Sequence, residues 1–129
     1  MTLHTICLVD DNEHIVEIFS LLLAKDGFSV ISASAGHTCI DILQTVTPDL
    51  ILLDVMMEPM DGWETLERLK SNPRTRKIPV IMVSGKKPTA DEIRIYGSLF
   101  EKYVMKPVSY SDLREEIMKV LISPVLPLN

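Results

Sequence analysis

Five polar residues stand where apolar runs end: Asp10-Asp11 after "TICLV", Asp54 after "LILL", Ser84 at the end of "IPVIMVS" and Lys106 at the end of "KYVMK". Taken singly, each is ordinary. An acidic pair at a strand end is a solvated loop, Asp54 alone is a turn or helix-cap residue, and Lys106 alone is surface charge. Brought together they pose an electrostatic problem, because two unit charges about 4 Å apart repel by roughly 4 kcal/mol at an effective dielectric near 20. Oxygen donors without His or Cys suit a hard divalent cation. Mg²⁺ takes one or two carboxylates, keeps several waters and accepts phosphate oxygens for the rest. A carboxylate nucleophile, a metal, the Lys106 ammonium and the Ser84 hydroxyl together suit phosphoryl transfer to Asp54, where catalysis is mainly positioning and charge neutralisation.

The elements that must position these residues alternate along the chain. Strands are expected at 5–9, 28–32, 50–53, 78–84 and 102–106. After the first strand, Ile15, Ile18, Phe19 and Leu22 repeat at helical spacing until Gly27; after the second, Cys39, Ile42, Leu43 and Val46 do so until Pro48. Asp61 with Glu64 opens a third helix that reaches Asn72-Pro73, "ADEIRIYG" (90–97) makes a weak fourth, and Ser109 with Asp112 opens a fifth that buries Leu113, Ile117 and Val120 or Leu121. Strands separated by helices pair in parallel through right-handed crossovers. The expected fold is α/β: a doubly wound, flavodoxin-like five-stranded parallel sheet of order 2-1-3-4-5 with helices on both faces. All five polar residues then lie at carboxyl ends of strands, where open sheets of this kind bind ligands.

A chain of 129 residues, 47% hydrophobic, suits one domain over 1–122, with "SPVLPLN" (123–129) as an irregular tail or linker stub. The net charge of −5 and the absence of a dominant Lys/Arg cluster argue against nucleic-acid binding, and Arg74 to Lys77 reads as a solvated loop. No secretory signal and no apolar run near the ~18 residues of a membrane span is apparent, so a cytoplasmic location without membrane contact is expected. Cys7 and Cys39 have no metal-site spacing and read as buried thiols, while His4, His14 and His37 read as surface residues.

The acids of "LVDDNE", the aspartate of "LILLDVMM", the following "MDG", Ser84 closing "VIMVS", the aromatic of "YVMKP" and the Lys106-Pro107 pair together resemble the receiver domain of two-component response regulators over residues 5–122. The resemblance implies that Asp54 is the phosphoacceptor, that Asp10, Asp11, Asp54 and the Met56 backbone carbonyl hold Mg²⁺, and that Ser84 and Lys106 grip the phosphoryl oxygens. It implies a cis peptide at Pro107, which X-Pro bonds permit, and a switch in which Ser84 moves inward and Tyr103 fills the space. The donor it implies is a phosphohistidine on a sensor histidine kinase or phosphotransfer protein, or a small acyl phosphate. The output surface would be the face of helix four, strand five and helix five, with a homodimer through it left open.

Several positions depart from the family pattern. Glu58 stands where a proline is common, with Pro59 one place later, and Leu99-Phe100 replaces a Gly-Ala pair before strand five. Glu58 could accept a metal-bound water or face solvent; Leu99 and Phe100 could pack into the core or form a partner patch. Met56 and Lys86 flank the site, and since Met56 cannot hydrogen-bond an attacking water, slow dephosphorylation is expected. Two other readings stay open: a docking module that never carries phosphate, and an aspartate-nucleophile phosphatase. Against the latter stands Met56, where such phosphatases place a second acid.

Overall fold

The computed structural model describes residues 3–122, so the expected tail at 123–129 lies outside the described residues. In chain order the elements are β1 (Thr5–Val9), α1 (Glu13–Lys25), β2 (Ser29–Ala33), α2 (Gly36–Ile42), β3 (Leu50–Asp54), α3 (Gly62–Ser71), β4 (Val80–Ser84), α4 (Ala90–Tyr96), β5 (Lys102–Met105) and α5 (Tyr110–Leu121). Every strand pairing is parallel and the order is β2-β1-β3-β4-β5, the doubly wound sheet expected from the alternation of elements.

The period-2 alternation of strand side chains divides the core into two layers. Ile6, Leu8, Leu50, Leu52, Ile81 and Val83 face Leu23 of α1 and Leu113 and Ile117 of α5. Their neighbours Cys7, Val9, Ile51, Leu53, Val80 and Met82 face Cys39 of α2 and Trp63, Leu66 and Leu69 of α3, with Tyr96 of α4 packed alongside. Helices α1 and α5 therefore cover one face and α2, α3 and α4 the other. The faces of α1 to α4 follow from right-handed crossovers: the chain moves outward from β1 to β2, then reverses to build β3, β4 and β5, and the reversal changes the face on which each connecting helix lies. The carboxyl ends of β1 and β3 flank that reversal, which leaves a crevice between departing chains.

Local signals set the helix ends. Asn12 accepts from the backbone N–H groups of His14 (3.0 Å) and Ile15 (3.3 Å) to start α1, and Gly27, at φ +94°, ends the turn after it. Asp61 accepts from the Glu64 N–H at 2.9 Å. The Glu64 carboxylate does not return the bond; it pairs with Arg68 at 3.1 Å instead. The reciprocal capping box belongs to Thr89 and Glu92 at the start of α4, which compensates a short helix with no fully buried residue. Ser109 accepts from the Asp112 N–H at 3.1 Å to start α5.

Three sequence expectations shift. In α1, Val16, Phe19 and Leu23 face the core and Ile18 is 55% exposed; with three consecutive leucines at 21–23, the apolar pattern admits a face rotated by one position, and packing on the sheet selects it. Helix α2 stops at Ile42, before Val46 and Pro48, because the chain folds into a turn at Leu43–Thr45 and leaves Val46 exposed. Strand β4 begins at Val80, and Ile78 lies in the preceding loop, although it is buried. Leu99 and Phe100 pack against the core. Cys7 and Cys39 are buried free thiols, and the three histidines are exposed. In the basic loop, Thr75 is buried and donates to the Leu69 carbonyl at 2.6 Å, while its cationic neighbours face solvent.

Candidate functional site

The sheet register aligns the polar residues at one edge. Asp54 lies opposite Val83 and Ser84 opposite Met105, so Lys106 emerges beside Ser84 and its N–H binds the Ser84 carbonyl at 2.8 Å. Asp10 follows directly on β1. One carboxylate oxygen from each of Asp10, Asp11 and Asp54 comes within 4.8 Å of the others. Asp10 and Asp54 are 4% and 5% exposed and Ser84 is fully buried, whereas Asp11 is exposed, which leaves one side of the cluster open to water or ligand.

Lys106 is the countercharge. Its ammonium donates to Asp10 Oδ2 at 2.9 Å and lies 3.6 Å from Asp54 Oδ2. Burial alone would depress the lysine, but the hydrogen bond with Asp10 and the charges of Asp54 and Asp10 hold it above its ordinary value. Asp54 moves the other way for an acid. Burial, and then the charge of Asp10, push its carboxyl up to about 6, against the opposing pull of Lys106 and the Met56 N–H. That N–H reaches Asp54 Oδ1 at 3.2 Å, and Asp10 Oδ1 accepts from the Asn12 N–H at 2.9 Å. An acid held near neutrality by its neighbours is set to gain from any added positive charge.

The start of α3 presses on the site from behind. The Gly62 N–H donates to the Val55 carbonyl at 2.8 Å, and a Cβ at position 62 would stand 2.2 Å from the Asp54 carbonyl oxygen. Only glycine lets the helix approach the strand this closely.

Beyond Ser84, the backbone of Lys86 is held at both of its polar groups. Its N–H donates to Ser84 Oγ at 3.1 Å, and its carbonyl accepts from the Tyr103 hydroxyl. The Tyr103 ring is half-buried and stacks near Trp63, centroids 6.0 Å apart at 22°.

A family model of the response regulator receiver domain matches residues 6–118. The chain belongs to that family.

Relatives of this receiver domain divide by length. It is 32% identical over 117 residues to the polar-differentiation response regulator DivK of Brucella ovis, covering 91% of this chain and 95% of DivK. It is also 35% identical over 113 residues to a probable cyclic di-GMP phosphodiesterase of Vibrio cholerae, of which it spans only 25%. Among solved structures, the N-terminal domain of a response regulator receiver protein from Methanoculleus marisnigri JR1 is 48% identical, with a TM-score of 0.77 over 94% of this chain and 98% of that one.

In this receiver domain the structure brings Asp10, Asp11, Asp54 and Lys106 into one cluster, and Ser84 reaches the Lys86 loop. The Lys106-Pro107 peptide is cis, and so is Glu58-Pro59. Glu58 is exposed and lines an open hollow beside Asp11 and Met56; it is outside the carboxylate cluster. The sequence reading passed over Trp63. It stacks on Tyr96, centroids 4.8 Å apart at 10°, and lies 5.9 Å from Phe100. No local pattern marks it, since its partners come from later in the chain; the one available signal was its place directly after "MDG".

Proposed function

We propose that this receiver domain accepts a phosphoryl group on Asp54 from a phosphohistidine of a sensor histidine kinase or phosphotransfer protein, in the cytoplasm. The observation that carries the reading is the gathering of three carboxylates within 4.8 Å of one another, two of them, Asp10 and the buried Asp54, paired with the Lys106 ammonium. The donor set is all oxygen, partly open through Asp11, and more negative than Lys106 alone offsets, so it fits a hard divalent cation such as Mg²⁺, held by Asp10, Asp11, Asp54 and the Met56 carbonyl. When bound, Mg²⁺ supplies charge neutralisation at the phosphoryl oxygens.

The chain's own residues supply the rest. The Asp54 carboxylate attacks phosphorus; the Asp54 oxygen–phosphorus bond forms as the phosphorus–nitrogen bond to the donor imidazole breaks, and the electron pair leaves with that nitrogen. Lys106 keeps Asp54 ionised and faces the transferred oxygens. The Ser84 hydroxyl donates to a phosphoryl oxygen, and this loosens the Lys86 N–H that it now accepts from. Because Tyr103 holds the carbonyl of the same residue, the Lys86 backbone couples Asp54 to β5 and α4, and the face of α4, β5 and α5 becomes the output surface. A ligand shifts such an equilibrium only through its differential contact with the two states.

Incubating the protein with Mg²⁺ and acetyl phosphate, followed by intact mass, tests this. A single phosphoryl adduct that is absent from Asp54→Asn is expected. A protein that stays unmodified, or that releases phosphate from many esters, overturns it.

A further inference from the structure

Between α3 and α4 runs a surface groove of 640 Å³, lined by the carboxylates of Asp61, Glu64, Glu67, Asp91 and Glu92 and by a single guanidinium, that of Arg68. Arg68 is already bound to Glu64 at 3.1 Å, and the nearby Arg94 is bound to Asp91 at 3.0 Å. Among the described residues Glu67 has no ion-pair partner. At Asp61, Trp63 and Glu92 the groove joins a second hollow of 430 Å³ that reaches Asp11 and Met56. One mainly acidic trench, with Lys86 as a cation in its second hollow, thus extends from Asp11 and Met56 to Ile95, and Trp63 and Tyr96 stack along it.

A second observation is independent of this charge. Trp63 is only 5% exposed and its Nε1–H has no hydrogen-bond partner. The N–H faces the Glu92 carboxylate from beyond hydrogen-bond geometry, and that carboxylate is engaged by the Thr89 N–H at 2.9 Å. Buried donors are nearly always satisfied, and with the Glu92 carboxylate held by Thr89 this one stays open to a further acceptor.

We propose that the trench docks an extended basic segment of a partner protein. Arginine or lysine side chains of that segment pair with Glu67 and Asp61, its aliphatic stems lie on Tyr96 and the exposed Ile95, and a backbone carbonyl accepts the Trp63 N–H once Glu92 swings aside. The charge of the walls selects a basic occupant and repels nucleic acid and anionic membrane alike. A second copy of this chain is a poor match, because it brings an overall charge of −5.

The test uses the unphosphorylated full chain, so its outcome does not depend on the role of Asp54. An alternating arginine–alanine peptide is titrated into ¹⁵N-labelled protein, with an alternating glutamate–alanine peptide as control. Saturable binding of the basic peptide alone is expected, with a shift of the indole N–H resonance, unambiguous because the chain has one tryptophan. Glu67→Lys is expected to weaken binding about tenfold while leaving the far-UV circular dichroism unchanged. A stationary indole resonance, shifts confined to α1 or α5, or equal affinity in Glu67→Lys overturns the proposal. So does sedimentation showing that a second copy occupies the trench.

Discussion

Burial and the Asp10 charge hold the Asp54 carboxyl at about 6 rather than near 4, and this gives the metal-free protein a readable pH dependence. An acid whose folded value is raised stabilises the native state fully below its unfolded value and loses that contribution as pH rises through about 6. At 1.36 kcal/mol per unit the loss is on the order of 3 kcal/mol. Thermal melts are therefore expected to show metal-free stability falling between about pH 4 and pH 7, with Mg²⁺ raising the melting temperature more at about pH 7.5 than at about pH 5. Asp54→Asn should flatten both trends; an Mg²⁺ effect equal at the two pH values contradicts the proposed metal site. At Ser84 the expectation is one of coupling. Ser84→Ala removes the oxygen that holds the Lys86 N–H, so it should still accept phosphate on Asp54 while its partner affinity no longer responds. Wild-type response in that variant sinks the Lys86 link.

Among the elements, the junction of β3 and α3 is the tightest. Gly62 is there because the Asp54 carbonyl leaves no space for a Cβ. Gly62→Ala is expected to destabilise the fold by about 1–3 kcal/mol, through overpacking rather than lost hydrogen bonds, and to weaken Mg²⁺ binding because the strand that carries Asp54 must shift. Urea unfolding and a metal titration of the variant measure the two effects; an unchanged midpoint shows that α3 can back away freely. On the other face of the sheet, α5 is tied to the end of α1. The Tyr110 hydroxyl donates to Asp26 Oδ2 at 2.6 Å and the Arg114 Nε–H at 2.9 Å. The Tyr110 bond, ahead of the Arg114 charge, holds the Asp26 carboxyl below its usual range.

Across the whole molecule, stability is unevenly spread. β1, β3 and β4 are buried on both faces, while α4 contributes no fully buried residue and β5 is an edge strand. Native-state hydrogen exchange should accordingly be slowest in β3 and β4 and fastest among the helices in α4. Equal protection of α4 and α3 would contradict the assignment of α4 as the moving element. The unevenness suits the proposed switch, since α4 has no fully buried residue to pull from the core.

The alternation of five apolar runs with five amphipathic ones was legible in the sequence, because strand and helix periods differ and because short continuous runs such as "LILL" have the length of strands covered on both sides. The meeting of the polar residues was legible for a related reason: parallel strands all present their carboxyl ends at one edge, so a polar residue closing each run had a known destination. What remained for tertiary structure involved contacts between elements that no local pattern encodes. The face of α1 that packs inward was decided by the sheet it meets, which left Ile18 outside. The early end of α2 was decided by the turn that follows it. The stacking of Trp63 on Tyr96, and the clamping of Lys86 between Ser84 and Tyr103, join residues from separate elements. Whether such side chains meet depends on helix rotation and strand register, quantities set only when the layers pack together.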